Sequence, residues 1–400
     1  MPPKNSRRVT SRAVSGALTV VALTAVAACS SSGAGSSGNT AAGSAASAGS
    51  LPASIPVTAT LDLTGPLAYY GTQAQAGIKA GLAEVQKEGL LGNSKLVISV
   101  EDTGGSATTA TSLAESAVKS GAVAVIGANI SNEALAAAPV VSAASIPFLA
   151  PTAPNGLTSI SKYVYSTSTS ELVQLQNYTT TLVKAHPKVT VIYANDNDTT
   201  TELAGTLKNT VSQNGGTLVN SIPTPIAATD YSVLATKALD GSPDAIGIMS
   251  GGPQQAGLIT TLRSLGYKGI LFANMGADGT ANAAGTAANG LEFQGEWASN
   301  VDSSASKTFA TAFAAANPSM TPHYPAVDGY DTVMFLALAL QKAHSVKGPE
   351  LLAGLQQIAS AGFGVPGGEG TFTGATQQQF ESPTLDLTYQ DDKVLQVSSS

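Results

Sequence analysis

Apolar residues recur along this chain with two alternating periods, that of a strand and that of a helix. Residues 55–63 are apolar at every second position, which is typical of a strand with one buried face. Ile78, Leu82 and Val85 follow at helical spacing, and Gly89 is placed to end that helix. The start of the pattern therefore predicts a strand followed by a helix.

The same alternation continues along the chain. We predict further strands at 95–101, 122–126, 146–150, 188–194, 217–220, 245–249, 270–273 and 291–297. We predict helices at 112–119, 131–144, 231–238, 254–265, 325–343 and 349–360, and a final hairpin at 384–397. Thr199 and Glu202 have the spacing of a capping box that opens one more helix. Strands that alternate with helices of this length predict parallel sheets with helices on both faces.

The series of strands and helices runs through twice, because the strand at 188–194 begins a second set like the one that begins at 55–63. About 350 residues follow the N-terminal region, which is enough for two domains of ordinary size. The sequence therefore predicts an α/β protein with two Rossmann-like lobes, each a parallel sheet flanked by helices.

The N-terminal segment differs from the rest of the chain. Basic residues near the start are followed by an apolar stretch at 14–28 and by Cys29, the single cysteine of the sequence. This order is typical of a secretory signal peptide, and the apolar stretch is shorter than the roughly 20 residues of a membrane span. We predict a signal peptide at 1–28, exported by either the general secretory or the twin-arginine route. A flexible Ser/Gly/Ala tether follows at 29–50.

The residues before Cys29 are Val-Ala-Ala, and the four together resemble a bacterial lipobox, in which the cysteine thiol receives a diacylglyceryl group. The resemblance implies lipidation of Cys29 and an extracytoplasmic protein held at the cell membrane of a bacterium. Multiple acyl chains anchor firmly because each buried methylene contributes about 0.8 kcal/mol.

Charge limits the class of partner. Residues 1–28 hold four basic residues and no acidic one, so the remainder has 15 Lys and Arg against 26 Asp and Glu, a formal charge of −11. No run of Lys or Arg occurs, which argues against nucleic acid and against anionic lipid as partners. We expect membrane contact through the N-terminal lipid only, and a monomer.

The sequence shows little that indicates catalysis. Its three histidines, His186, His323 and His344, do not have the spacing of metal ligands. Neither a nucleophile elbow nor a phosphate-binding loop motif is present. We therefore predict a binding protein with no catalytic residue, no metal and no cofactor.

Polar loops follow the predicted strands, where ligands bind in open α/β sheets. These loops are 64–71, 128–132, 151–155, 195–201, 250–253 and 274–278. Ser131 is predicted to cap a helix, with anion binding at that helix N-terminus as the functional alternative to capping alone. Tyr69 and Tyr70 are either packed loop aromatics or part of a small-ligand cleft.

Several of these loops lie in segments with a familiar order. The segments are LTGPLAYYGTQAQAGIKAGLAEVQKEGLLG, VISVEDTGG, AVIGANISNEALAAAPVVSAASIPFLAPTAP, VTVIYANDNDTTTELAGTLKNTVSQNGG, TDYSVLATKALDGSPDAIGIMSGGPQQAGLITTLRSLGY and YPAVDGYDTVMFLALALQKA. Together they resemble the branched-chain amino acid class of substrate-binding proteins of ABC importers, which have a type I periplasmic-binding fold. The resemblance runs from about residue 61 to residue 372.

The resemblance implies two lobes joined by three crossings and a cleft that closes on its ligand. The crossings are expected near 166–169, 296–299 and 368–373. The first lobe would comprise 51–167 with 298–370, and the second 168–297 with 371–400.

The resemblance also implies ligand-binding residues in the first lobe. The family's carboxylate-binding serine falls on Ser131, with Asn132 beside it. Its second contact to the carboxylate and ammonium groups falls on Thr152 and the backbone around Ala150. A family tyrosine matches Tyr70.

The second lobe departs from the family pattern. Thr199 stands where a ligand-covering tyrosine is usual, and the family's ammonium-binding acid aligns with Gly276 or, after a shift, with Asp278. Ser250, in the loop after the strand at 245–249, completes the expected ligand-binding set. Because of this departure, the resemblance does not imply a free α-amino acid as the ligand.

Three functions follow from these observations. The first is a lipid-anchored receptor that captures a small solute, such as an amino acid, carboxylate or amide, and delivers it to an ABC permease. The second is a ligand-sensing component for a membrane signalling protein. The third and least favoured is a secreted hydrolase.

Overall fold

The computed structural model describes residues 50–65, 67–391 and 393–397, which lie in one compact unit. The predicted signal peptide, Cys29 and the tether up to residue 49 lie outside the described residues. None of the helices in the described part of the chain has the length and apolar character that a membrane crossing requires.

Strands and helices alternate through most of the described chain. The strands are β1 (Ser54–Leu61), β2 (Lys95–Asp102), β3 (Ala124–Gly127), β4 (Phe148–Ala150), β5 (Val164–Ser166), β6 (Lys188–Ala194), β7 (Thr217–Thr224), β8 (Ala245–Met249), β9 (Ile270–Ala273), β10 (Leu291–Gly295), β11 (Phe363–Val365), β12 (Gly368–Thr373), β13 (Gln379–Glu381), β14 (Leu385–Gln390) and β15 (Lys393–Gln396). The α-helices are α1 (Ala68–Lys87), α2 (Ala107–Lys119), α3 (Ser131–Ala143), α4 (Glu171–Ala185), α5 (Asp198–Gln213), α6 (Ser232–Leu239), α7 (Gly252–Ser264), α8 (Ser304–Ala316), α9 (Tyr324–Ala343) and α10 (Gly348–Ala361).

The strands form two sheets. In the described residues the first has the order β11-β12-β13-β5-β4-β3-β1-β2 and the second the order β15-β14-β10-β9-β8-β6-β7. Strands β1 to β5 pair in parallel in the first sheet, as do β6 to β10 in the second. Strands from the C-terminal region complete one edge of each sheet. In the first sheet β13 pairs in parallel with β5, and β12 and β11 follow it antiparallel; in the second sheet β14 and β15 are antiparallel to their neighbours. The predicted fold class, two parallel-dominated α/β lobes, is confirmed.

Helices cover both faces of each sheet. In the first lobe α1, α9 and α10 pack on one face, and α2 and α3 on the other. In the second lobe α4 and α5 cover one face, and α6 and α7 the other. Small residues allow close packing: a Cβ on Gly77 of α1 would lie 1.9 Å from the carbonyl oxygen of Ala326 in α9. Each sheet therefore has its own hydrophobic core, and helices separate both of its faces from solvent.

Three connections run between the sheets, at 167–170, 296–303 and 382–384. The first two are in contact, because the backbone N–H of Thr169 donates to Glu296 Oε1 at 2.6 Å. The third connection was expected near 368–373, which is wrong. Those residues form β12, which pairs with β13 in the first sheet, and the chain changes lobes only after Glu381.

Some local predictions match the structure and others do not. The predicted limits of β6, β8 and β9 coincide with the observed ones. The capping box at Thr199 is wrong, because α5 begins at Asp198 and the side chain of Asn197 caps it by accepting the N–H of Thr200 at 3.1 Å. Helices α4 and α8 were not predicted, since their apolar faces are interrupted by Thr, Gln and small residues.

Candidate functional site

Loops at the carboxyl ends of the parallel strands of both lobes surround one cleft. Its cavity has a volume of about 270 Å³, and a neighbouring cavity of about 310 Å³ shares part of its wall. The residues common to both are Asn129, Ser131, Asn132, Thr152, Glu171, Asp198, Thr199 and Tyr324. The cleft is thus at the edge of the sheets where α/β proteins bind ligands.

The hydroxyl of Ser131 lies where the two lobes meet. Its Oγ is 3.3 Å from Oγ1 of Thr152 in the first lobe and accepts a hydrogen bond of 3.2 Å from Oγ1 of Thr199 in the second. The prediction that Ser131 caps α3 is wrong, because Ile130 is the N-cap residue and Ser131 is the first residue of the helix. The Ser131 hydroxyl therefore faces the cleft without serving as a cap.

Two other expected first-lobe residues lie near Ser131 in different ways. Asn132 lines the cavity, and its Oδ1 accepts the backbone N–H of Glu133 at 2.9 Å. Ala150 is fully buried in β4, and its carbonyl accepts the backbone N–H of Thr167 at 2.7 Å. The structure brings Ser131, Asn132 and Thr152 together and leaves Ala150 behind them in the sheet.

Two tyrosines form the aromatic part of the cleft. Tyr70 and Tyr324 both line the cavity, with ring centroids 6.2 Å apart and planes tilted by 53°. The hydroxyl of Tyr70 donates to the carbonyl of Gly276 across the lobes at 3.4 Å. The sequence analysis missed Tyr324 because this residue directly precedes the predicted helix at 325–343. The signal was Pro325, since a proline in the first turn marks a helix N-terminus.

Glu171 is the carboxylate that the sequence analysis missed. It is the first residue of α4, directly after the first connection, and it lines the cavity. Its Oε1 accepts a hydrogen bond of 3.4 Å from Nδ2 of Asn274. Burial raises the pKa of the Glu171 carboxyl above its ordinary value, and hydrogen bonds from Asn274 and two backbone amides only partly oppose this. The sequence signal for α4, and so for Glu171 as its first residue, was the helical spacing of the apolar residues Leu172, Leu175 and Val183.

The second-lobe wall carries hydroxyls and further acids. Thr199 and Ser250 line the cavity as expected, and the Ser250 hydroxyl donates to Gln254. Asp196 and Asp198 lie at the exposed rim. Among the described residues that line this cavity, the charged ones are Glu171, Asp196 and Asp198, and none is Lys, Arg or His. In the same part of the chain no group of three or more His, Cys, Asp or Glu is arranged to hold a metal ion.

Asp278 lies outside this cleft. It lines a different cavity of about 660 Å³, together with Trp297 and Phe313. Its Oδ1 is 2.5 Å from Nδ1 of His323, and its Oδ2 accepts the backbone N–H of Tyr324 at 2.7 Å. Asp278 was expected to contact the ammonium group of a ligand in the cleft. The structure instead places both of its carboxylate oxygens against first-lobe residues, outside the cleft.

The pair also changes the acidity of His323. Burial lowers the pKa of the imidazole, but the charge of Asp278 and its hydrogen bond raise it by more, so the net shift is upward. Side-chain exposure is only 16% for His323 and 3% for Asp278, which makes this a shielded contact between the lobes.

Comparison with known proteins gives one family. The sequence profile of the family described as "Periplasmic binding protein" matches residues 54–387. Among curated proteins, no sequence match to this chain was found.

Solved structures with the same fold are numerous. The branched-chain amino acid transporter substrate-binding protein LivJ from Streptococcus pneumoniae, in complex with isoleucine, has 21% identity, a TM-score of 0.78, and coverage of 85% of this chain and 97% of that one. The leucine-binding protein LivK from Thermotoga maritima has 22% identity, a TM-score of 0.77, and coverage of 86% and 98%.

A third similar structure has a different ligand. The ABC transporter solute-binding protein from R. palustris, in complex with 4-hydroxybenzoate, has 19% identity, a TM-score of 0.76, and coverage of 86% of this chain and 95% of that one. These relatives are binding proteins of transporters, in agreement with the expectation of a binding protein rather than an enzyme. With a matching profile over most of its length and this two-lobed architecture, the chain belongs to the periplasmic binding protein family and has the type I fold.

Proposed function

We propose that this protein is an extracytoplasmic, lipid-anchored solute-binding protein of an ABC importer. It captures a small solute bearing a carboxylate or amide between its lobes and delivers it to the permease, acting as a monomer. The observation that carries the proposal is the meeting of the hydroxyls of Ser131, Thr152 and Thr199 in the interlobe cavity.

These hydroxyls suit an anionic or carbonyl oxygen. Ser131 is at the first turn of α3, where backbone N–H groups without intrahelical partners and the positive end of the helix dipole favour negative charge. A ligand oxygen there accepts from Ser131 and Thr152 of one lobe and from Thr199 of the other. Contacts to both lobes exist only when the cleft is closed, so ligand binding favours the closed form.

The relatives support this ligand chemistry. One similar structure holds isoleucine and another 4-hydroxybenzoate, and both molecules are small and carry a carboxylate. We therefore expect the ligand of this protein to carry a carboxylate as well.

The test is a thermal-shift screen of amino acids, aliphatic and aromatic carboxylates, and amides. A ligand at 100 times its dissociation constant adds about 2.7 kcal/mol to the free energy of unfolding, which raises the melting temperature by several degrees. Small-angle scattering with the strongest stabiliser should show a smaller radius of gyration. An unchanged radius together with saturable binding contradicts the closure mechanism.

The anchor is tested separately. We propose that residues 1–28 are removed as a signal peptide and that Cys29 is lipidated at the end of a tether that reaches to residue 50. Cys29→Ala is expected to move the protein from the membrane fraction to the soluble or secreted fraction. A variant that still sediments with membranes means that another element holds the protein there.

A further inference from the structure

The three connections between the lobes meet in one buried place. Glu296 of the second connection accepts the backbone N–H of Thr169 from the first at 2.6 Å. Thr169 Oγ1 in turn accepts the backbone N–H of Ser382 from the third connection at 3.0 Å. We call this place the junction; it comprises these three residues and the two carboxyl groups of α9 that face Glu296, those of Asp328 and Asp331. Movement of one lobe relative to the other must bend all three connections, so it changes the junction.

The acids of the junction are buried and have no positively charged partner. Glu296, Asp328 and Asp331 are each exposed by 2% or less. One carboxyl oxygen of each has no N–H or hydroxyl donor, and none of the three belongs to an ion pair of the described residues. A buried carboxylate without a cation or a full set of donors is strongly disfavoured. These groups are therefore stable together only while protons neutralise part of their charge.

The carboxyl groups of Glu296 and Asp328 contact each other directly. Asp328 forms a hydrogen bond with the Glu296 carboxyl and accepts another from Ser168. Two carboxyl groups can bond each other only when one of them carries a proton, because both are acceptors when ionised. Burial raises the pKa of Asp328 well above its ordinary value, and the charge of Glu296 raises it further. Loss of the shared proton would place two negative charges in contact in a dry space.

Further titratable groups surround this pair. Burial also raises the pKa of Asp331 well above its ordinary value, and that of Glu381, at the end of β13, to about 7. Glu171 faces the pair from α4. Tyr324 and Tyr330 face the acids of α9 and stay neutral, because burial raises the pKa of each above its ordinary value. All of these groups are acids, so each further ionisation adds negative charge and none offsets that of the pair.

We propose that the junction is a proton-operated switch of lobe position. While Glu296 and Asp328 share a proton, the connections stay packed and the lobes remain in contact, as they are where Thr199 donates to Ser131 across the cleft. Loss of that proton as the pH rises drives the two carboxylates apart, admits water and favours a form with the lobes separated. The protein therefore holds its closed form better in acid than in alkaline medium. The switch acts on the lobe closure of the proposed function, but its test needs no ligand.

Trp297 reports on the junction, because it directly follows Glu296, is buried and is the single tryptophan of the sequence. Its fluorescence is followed in the ligand-free protein as the pH is raised from about 5 to about 9, with small-angle scattering on the same samples. We expect a red shift of the emission, which reports entry of water, together with a larger radius of gyration. A constant emission and a constant radius overturn the switch.

Asp328→Asn tests the shared proton, because the asparagine amide can donate to Glu296 at any pH, as the protonated carboxyl does. This variant is expected to lose both the red shift and the change of radius. Glu296→Gln replaces the other member of the pair and is expected to give the same result, so the test does not depend on one variant folding.

Two control variants separate the junction from other groups. Asp240→Asn removes an exposed acid at the end of α6 and is expected to keep the red shift and the change of radius. His323→Gln is expected to keep them as well, which distinguishes the junction from the pair of His323 and Asp278. A pH response that persists in folded Asp328→Asn, or that disappears in His323→Gln, overturns the proposal.

Stability gives a second readout, which a purely structural role would not produce. The contribution of a carboxyl whose pKa is raised by folding is fully present below its unfolded value, about 3.9, and is lost as the pH rises through the folded value. Asp328→Asn lacks this loss, so its melting temperature is expected to exceed that of the parent by a margin that grows with pH. A variant that is less stable than the parent by the same amount at every pH would show that Asp328 only holds Ser168, and the switch would be overturned.

Discussion

The two walls of the cleft differ in charge, although the lobes that build them repeat the same order of strands and helices. The first-lobe wall presents neutral groups, chiefly the hydroxyls of Ser131 at the start of α3 and of Thr152 in the loop after β4. The second-lobe wall carries every charged residue of the described cavity lining, and all of them are acids. One wall therefore offers neutral hydrogen-bonding groups, and the other carries negative charge.

This difference lies in the loops and not in the sheets. Strands β3 and β8 are both fully buried apolar segments, yet the chain that follows one supplies Ser131 and the chain that follows the other supplies Ser250 and Gly251. A fold of repeated βα units fixes where a ligand lies, and the residues at the strand ends fix which ligand it is.

The largest effect is expected from the second-lobe acid that is already paired. Asp278→Ala removes the partner of His323 and the acceptor of the Tyr324 backbone N–H, so it should lower the free energy of unfolding by about 3–5 kcal/mol in denaturant titrations. Asp278→Asn keeps one acceptor and should lose less. A loss below about 1 kcal/mol for the alanine variant would show that the pair does not hold the lobes together.

On the neutral wall, Ser131→Ala tests the anion-binding side. Loss of a hydrogen bond to a charged oxygen costs about 1.5–3 kcal/mol, so the dissociation constant for the tightest ligand in the screen should rise roughly 10- to 150-fold. Because Ser131 does not cap α3, the melting temperature should stay close to that of the parent. Ser116→Ala on exposed α2 is the matched control. Equal affinity in the parent and Ser131→Ala would remove the hydroxyl from the site.

A matched pair of glycines compares the packing of the lobes. A Cβ on Gly77 of α1 would overlap the backbone of Ala326, so Gly77→Ala should lower the free energy of unfolding by about 1–3 kcal/mol. Gly205 of α5 is exposed and has no atom within 4 Å of such a Cβ, so Gly205→Ala should raise it by about 0.5–1 kcal/mol. Effects of the same sign in chemical denaturation would contradict the close α1–α9 contact.

The interlobe pair also predicts a pH dependence. Since the pKa of His323 is raised in the folded state, its stabilisation is fully present below the unfolded value, about 6.5, and is lost as the pH rises through the folded value. This loss should be smaller than that in Asp278→Ala, because neutral His323 can keep its hydrogen bond.

The His323 contribution must be separated from other groups that titrate nearby. Burial raises the pKa of Asp62 to about 6 and that of Glu133 to about 7. Ionisation of these two carboxyl groups therefore also lowers the free energy of unfolding as the pH rises. The difference in melting temperature between the parent and His323→Gln, followed across neutral pH, isolates the pair. A constant difference would mean that His323 does not titrate there.

The smallest effect concerns the rim of the acidic wall. Asp198→Asn removes one exposed charge at the cleft entrance, so association of an ammonium probe should slow roughly two- to threefold at low ionic strength and not at high salt. Asp240→Asn, an exposed acid at the end of α6, is the control. Stopped-flow association rates that are insensitive to both substitutions would show that the rim charge of Asp198 does not attract cations to the cleft.

Much of the fold follows from local periodicity. Strands β6, β8 and β9 are short apolar runs between polar loops, and their limits were predicted because burial on both faces of a parallel sheet requires such runs. The polar loops after the strands also predicted the hydroxyl-bearing residues of the site, Ser131, Thr152 and Thr199, because ligands of α/β proteins bind at strand ends. The weakly patterned α4 was missed, and Glu171 with it.

The sequence by itself determined the class of fold, the repeated lobes and the loops that face the cleft, because these depend on which residues are apolar and at what spacing. Only the tertiary structure decided which polar side chains share one space. It brought Glu171, Tyr70 and Tyr324 together from three separate segments and set Asp278 against His323 instead. It also moved the third connection to 382–384, because pairing of β12 with β13 keeps the chain in the first sheet longer than its spacing suggests. Spacing along the chain reports burial, whereas contacts between distant segments depend on how the helices and strands pack.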